Sequence, residues 1–133
     1  LKIKLAGLPE DAGALKPAEL SGGMRKRAGV ARAIALDPAI LFLDEPTSGL
    51  DPIAAGEFDD LVRTLRDALG LTVFMITHDL DTLYAICDRV AVVADKRIAA
   101  VAPIRDLERS DHPWIRNYLL GPRGRAAKKE KKS

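Results

Sequence analysis

A single cysteine, Cys87, stands among the 133 residues. A lone thiol excludes an intramolecular disulfide and a cysteine-built metal site, and it suits a reducing compartment. No apolar run approaches the ~20 residues that a bilayer-spanning helix needs, and the opening residues lack a signal-peptide pattern. Work at a membrane would therefore go through a partner. The run G-x-x-x-x-G-K-[ST], whose backbone N–H groups cradle nucleotide phosphates, occurs nowhere. There is no internal repeat.

What is present reads as one domain or part of one. Hydrophobic residues make up 47% and charged residues 30%, a balance that can build a core and keep it dissolved. The net charge of +2 is unevenly spread. From Gly121 onward six bases (Arg123, Arg125, Lys128, Lys129, Lys131, Lys132) face one acid, Glu130, giving +5, so residues 1–120 carry −3. With so little apolar surface to bury, residues 121–133 are expected to be a disordered basic tail. Such a tail can touch anionic lipid or nucleic acid, or simply keep the chain in solution.

Strands and helices alternate along the chain. Residues 1–8 suit a helix and residues 9–17 a connection. Ser21 suits a helix N-cap, ahead of a helix over 23–36 that Asp37-Pro38 should stop. Residues 39–43 form a short apolar run, the pattern of a buried parallel strand. A helix over 53–69 should put Phe58, Leu61, Val62, Leu65 and Leu69 on one face, with Gly70 just beyond its end. Residues 71–77 read as a second buried strand, so 39–77 suggests a right-handed βαβ unit. A short helix over 79–87 should turn Leu80, Leu83, Tyr84 and Cys87 inward. Strands over 89–94 and 97–101 fold back through Asp95-Lys96, and two helical pieces follow Pro103, one covering 114–120. His112 reads as a surface residue at a helix start.

Four short motifs carry the chemistry. Ser21-Gly22-Gly23 stands at a helix start, where small residues admit an anion to the backbone amides and the helix end adds positive charge. Its plain alternative is a capped helix after a Gly-Gly turn. Asp44-Glu45 follows a strand, at the end where open α/β sheets bind ligands; a solvated acidic strand end is the alternative. Ser48-Gly49-Leu50-Asp51 is a loop by composition, with Asp51 near a helix start. His78, within Thr77-His78-Asp79, ends the second strand, 33 positions past Glu45, and is expected beside Asp44 and Glu45 at one sheet edge.

Taken together, Leu20-Ser21-Gly22-Gly23-Met24, Ile40-Leu41-Phe42-Leu43-Asp44-Glu45-Pro46, Ser48-Gly49-Leu50-Asp51 and Thr77-His78-Asp79 resemble the signature, Walker B, D-loop and switch-histidine motifs of ATP-binding-cassette (ABC) ATPases. The resemblance implies the roles. Ser21, Gly22, Gly23 and Asp51 would meet ATP across a two-fold dimer of ATPase subunits. Asp44 would hold Mg²⁺, Glu45 would polarise the attacking water, and His78 would contact the γ-phosphate. Met24 stands where most members have glutamine, Lys96 where glycine is usual, and Val101-Ala102 where a Glu-Gly pair is common. Within the family, Asp88-Arg89-Val90-Ala91-Val92-Val93-Ala94-Asp95, Pro113-Trp114-Ile115-Arg116 and Gly121-Pro122-Arg123-Gly124-Arg125 resemble the ATPases of bacterial phospholipid-trafficking and organic-solvent-resistance transporters, which work with mammalian-cell-entry-type proteins.

The implied fold is α/β: a partial P-loop NTPase domain, with a mostly parallel sheet flanked by helices and without the P-loop half. Residues 1–120 would form the C-terminal half of the nucleotide-binding domain and 121–133 the tail. The implied function is ATP hydrolysis for lipid transport, at the cytoplasmic face of the inner membrane and docked on a permease, with no direct nucleic-acid contact. The fragment alone should be inactive. Two alternatives stay open: a non-catalytic remnant of a truncated gene, and a non-transporter ABC protein acting on nucleic acid or ribosomes, against which the Ser48-Gly49 spelling argues.

Overall fold

A computed structural model describes residues 1–122, which fall into two compact units that divide between Thr77 and His78. In the first, helix α1 (Lys2–Leu5) and two 3₁₀ turns (Glu10–Ala14 and Pro17–Glu19) lead to helix α2 (Gly22–Ala33). Strand β1 (Ile40–Asp44), helix α3 (Pro52–Leu69) and strand β2 (Thr72–Ile76) follow. The second holds helix α4 (Leu80–Ile86), strands β3 (Val90–Ala94) and β4 (Arg97–Ala102), and helices α5 (Ile104–Leu107) and α6 (Pro113–Leu120).

Local chemistry sets the helix ends. Asp51 caps α3 by accepting from the Ile53 and Ala54 amides, each at 3.0 Å, and Pro52 at the first helical position has no amide to leave unpaired. Gly70 closes α3 in the left-handed region at φ 64°, a conformation that costs glycine nothing. Helix α2 stops three residues short of the expected end. Ile34 leaves helical geometry while fully buried, the Ala35 amide tightens onto the Arg32 carbonyl, and Asp37 turns to φ 51°. The chain has thus reversed before the Asp-Pro pair can act.

β1 and β2 pair in parallel from Ile40↔Thr72 to Asp44↔Ile76, with α3 as the crossover. Among the described residues, parallel pairing is confined to this pair; β3 and β4 form an antiparallel hairpin through Asp95 and Lys96.

The expectation that β1 and β2 are buried needs correction. Their side chains alternate: Leu41 is 3% exposed, whereas its neighbour Phe42 is 70% exposed and Phe74 56%. On one sheet face Leu41 is buried and Leu43, Val73 and Met75 are half-buried, while the other presents Ile40, Phe42, Phe74 and Ile76. Phe42 and Phe74 are register partners whose ring centroids lie 5.6 Å apart.

Helix α3 buries Phe58, Val62 and Leu65 as expected, but Leu69 is 38% exposed, since it lies at the last turn. Asp59, a polar residue the apolar periodicity passes over, is buried on this helix.

The second unit packs around Leu83, Ile104, Leu107, Ile115 and Leu119, with Val90, Val92, Ala100 and Ala102 of the hairpin against them. Leu80, Tyr84 and Cys87 join this cluster. Val93 and Ile98, paired beyond an irregularity in the register, face outward. His112 does stand at the N-cap position of α6, but it is half-buried with Nδ1 out of solvent, which corrects its reading as a surface residue. Apart from Gly121 and Pro122, the expected basic tail lies outside the described residues.

Candidate functional site

The turn into α2 is a side-chain-capped helix start. Ser21 takes an extended backbone, and its Oγ accepts from the Met24 amide at 3.2 Å. Capping uses an acceptor lone pair, so the hydroxyl proton is still available to donate elsewhere. The capped-helix reading and the anion-facing reading are therefore compatible. A side chain at Gly23 would meet nothing within 4 Å, and one at Gly22 would lie 4.0 Å from Leu50. The Ser21–Gly23 turn is thus open at Gly23 and lies near Leu50 of the 48–51 loop at Gly22.

The two segments border a hollow of about 550 Å³. Ser21, Gly22, Gly23 and Met24 line it together with Gly49, Leu50 and Asp51. Gly49 turns the loop at φ 76°, a value that suits glycine. Asp51 lines the hollow while its Oδ1 caps α3.

Two residues at this hollow escaped the sequence reading. Arg27, one turn past the signature, reaches Glu57 on α3 at 3.4 Å, and both border the hollow. The basic run Arg25-Lys26-Arg27 hints at a charged flank, but nothing in the sequence marks Glu57.

Asp44 closes β1 and is exposed. Glu45 prolongs the ladder by one bond, its amide donating to the Ile76 carbonyl at 2.8 Å. It then turns to φ 43°, where residues other than glycine are uncommon and often functional. Its carbonyl accepts from Lys26 Nζ at 3.3 Å and from the Ser48 amide at 3.2 Å. Pro46 and Thr47 are buried immediately after. The turn that aims Glu45 is therefore fixed at its amide, at its carbonyl and by the buried residues that follow.

Among the described residues no group of three His, Cys, Asp or Glu side chains could cage a metal ion. Asp44 alone, exposed at a strand end, fits Mg²⁺ in the manner that ion prefers, through one carboxylate, retained waters and substrate phosphates.

His78 opens the second unit. Its backbone carbonyl accepts from the Tyr118 hydroxyl at 2.5 Å, and Asp79 behind it caps α4 through the Asp81 amide at 2.9 Å. The two carboxylates and this histidine are each placed within their own unit.

No helix among the described residues is long and apolar enough to cross a membrane. The profile of the family described as "ABC transporter" matches residues 2–48. The chain is 40% identical over 121 residues to the intermembrane phospholipid transport system ATP-binding protein MlaF of Escherichia coli (strain K12), covering 91% of this chain and 45% of MlaF. It is 45% identical over 105 residues to the methionine import ATP-binding protein MetN of Nocardia farcinica (strain IFM 10152), covering 79% of this chain and 31% of MetN. Its fold is similar to the dimeric post-hydrolysis structure of the ATP-binding cassette MJ0796 bound to ADP and Pi, with TM-score 0.65 and 31% identity, over 77% of this chain and 44% of that one. The chain spans less than half the length of the curated relatives it matches here. By sequence and by fold, the chain belongs to the ABC transporter family of ATP-binding proteins.

Proposed function

We propose that this chain supplies the signature, Walker B, D-loop and switch-histidine part of an ATP-hydrolysing subunit that energises a membrane transporter. The observation that carries the reading is the shared hollow, where the signature turn and the D-loop stand together beside an open helix start. In this reading residues 1–120 act as the C-terminal half of a nucleotide-binding domain and 121–133 as a tail. The phosphate-cradling segment comes from outside these 133 residues, whose sequence lacks it.

Ser21, Gly22 and Gly23 offer a hydroxyl and helix-start amides to the γ-phosphate of ATP held by a second subunit, and Asp51 completes that contact. Mg²⁺, carried through water by Asp44, would neutralise charge on the phosphate oxygens. Glu45 accepts the proton of the attacking water as general base. His78 contacts the γ-phosphate and steadies the charge that develops during transfer. The dimeric MJ0796 cassette with ADP and Pi supports the two-subunit arrangement.

The cargo reading is phospholipid, at the cytoplasmic face of the inner membrane through a permease. Its support is the likeness to MlaF, 40% identical across 91% of the chain.

The test joins residues 1–133 to the phosphate-cradling segment of a relative and compares Glu45→Gln with the parent. Turnover should fall ~10²–10⁴-fold, the usual contribution of a general base, while ATP binding persists and holds a dimer. Near-normal turnover in the variant would remove Glu45 from this role.

A further inference from the structure

We propose that Tyr118 is a positioning residue for His78, tying the orientation of that histidine to helix α6. The inference rests on the reading of His78 as the phosphate-contacting residue.

The segment 77–79 belongs to neither helix nor strand. The ladder of α4 opens with the Leu83 amide donating to the Asp79 carbonyl at 3.1 Å, so the His78 carbonyl lies one residue ahead of it. A carbonyl just before a helix cap has no place in the helical ladder and depends on donors from elsewhere. Tyr118, forty positions on, supplies one: its phenol O–H donates to that carbonyl at 2.5 Å.

The donor arrives on a fixed support. Tyr118 packs against the cluster that includes Leu83 of α4 and Ile115 and Leu119 of α6. Trp114, one turn earlier, stacks on its ring with centroids 5.0 Å apart and planes 11° from parallel. A ring stacked on Trp114 and packed against the cluster has fewer positions for its hydroxyl, which reduces the ordering cost of the hydrogen bond. The peptide after His78 is thereby oriented, and with it the direction in which the Cα of His78 presents its side chain. A displacement of ~1 Å in such a contact is enough to cost about 10²-fold in rate, so α6 acquires influence over a residue far from it in sequence.

Tyr118→Phe removes only the hydroxyl and keeps the ring, the stack and the apolar contacts. In the 133-residue chain, NMR should show the His78 carbonyl carbon shifting as it loses a donor, with the Ile115 and Leu119 methyl resonances unchanged. In the cassette completed with a relative's phosphate-cradling segment, kcat should fall several-fold with KM for ATP within about twofold. Tyr118→Phe added to His78→Ala should cause no further loss. A carbonyl resonance that stays in place would overturn the proposal, as would full turnover in Tyr118→Phe where His78→Ala abolishes it. If His78→Ala itself leaves turnover intact, the reading of His78 fails and the positioning role fails with it. The single variants therefore tell the two failures apart.

Discussion

The ammonium of Lys26, on the helix that starts at the signature turn, donates to the main-chain carbonyl of Glu45 at 3.3 Å. The same residue therefore follows Gly22 and Gly23 along α2 and holds the turn that presents Glu45, the proposed general base. Glu45 occupies φ 43°, and a backbone in that region persists only when its surroundings hold it. Lys26→Met should lower stability by about 1 kcal/mol, as expected for a partly exposed charged hydrogen bond, and should speed hydrogen exchange at the Glu45 and Ser48 amides. Lys26→Arg should preserve both. Unchanged exchange in Lys26→Met would show that the turn holds itself.

Asp51 has two tasks that conflict under mutation. Its Oδ1 accepts from two amides of α3, so Asp51→Ala should cost about 1 kcal/mol through the lost cap. Asp51→Ser should restore most of the denaturation midpoint. If ATP-dependent dimerisation of the completed cassette remains impaired in Asp51→Ser, the carboxylate acts at the D-loop beyond capping.

At the β3–β4 turn Asp95 and Lys96 take φ 50° and 62°, the positive pair that a two-residue hairpin turn demands. Glycine meets that demand without the Cβ clash. Lys96→Gly should therefore stabilise the chain by about 1 kcal/mol, less the extra freedom glycine gives the unfolded state. A lower denaturation midpoint would contradict this account of the turn.

Tyr84 donates to Glu108 at 2.7 Å. Burial, then that hydrogen bond and the carboxylate's charge, push its phenol well above the ordinary value of 10.0. Because the folded-state value is raised, the neutral phenol stabilises the fold fully below the ordinary tyrosine range. This contribution fades as the pH climbs above 10.0, where the unfolded chain ionises first. Stability should thus drop between about pH 8 and about pH 11 in the parent, and drop less in Tyr84→Phe. Equal slopes from denaturant melts at the two pH values would refute the coupling.

The exposed face of β1–β2 carries Phe42 and Phe74 side by side. A contiguous apolar sheet face favours association. The 133-residue chain should self-associate with rising concentration, and Phe42→Glu should suppress this in sedimentation experiments. A strictly monomeric parent chain would count against it.

Much of this protein is legible from local chemistry. The element order follows from apolar runs and breakers, because Gly70, Pro52 and the Asp95-Lys96 turn act on their own neighbours whatever the rest of the chain does. The Ser21 and Asp51 caps are local as well, bonding amides two or three residues away. The candidate site residues could be named from spelling alone, since each motif is short and contiguous.

Other features depended on parts of the chain distant in sequence. The strand sequences are apolar on both faces, so they could not reveal that Phe42 and Phe74 are left outside while Leu41 is covered. Periodicity could not place Asp59 in the interior, because its neighbours define the buried stripe. Nothing local brings Ser21–Gly23 and Gly49–Asp51 to one hollow, puts Lys26 on the Glu45 carbonyl, or sends the Tyr118 hydroxyl to His78. Those contacts join residues 19 to 40 positions apart. Only the packing of α2 on α3 in one unit, and of α6 on the shared core in the other, decides them.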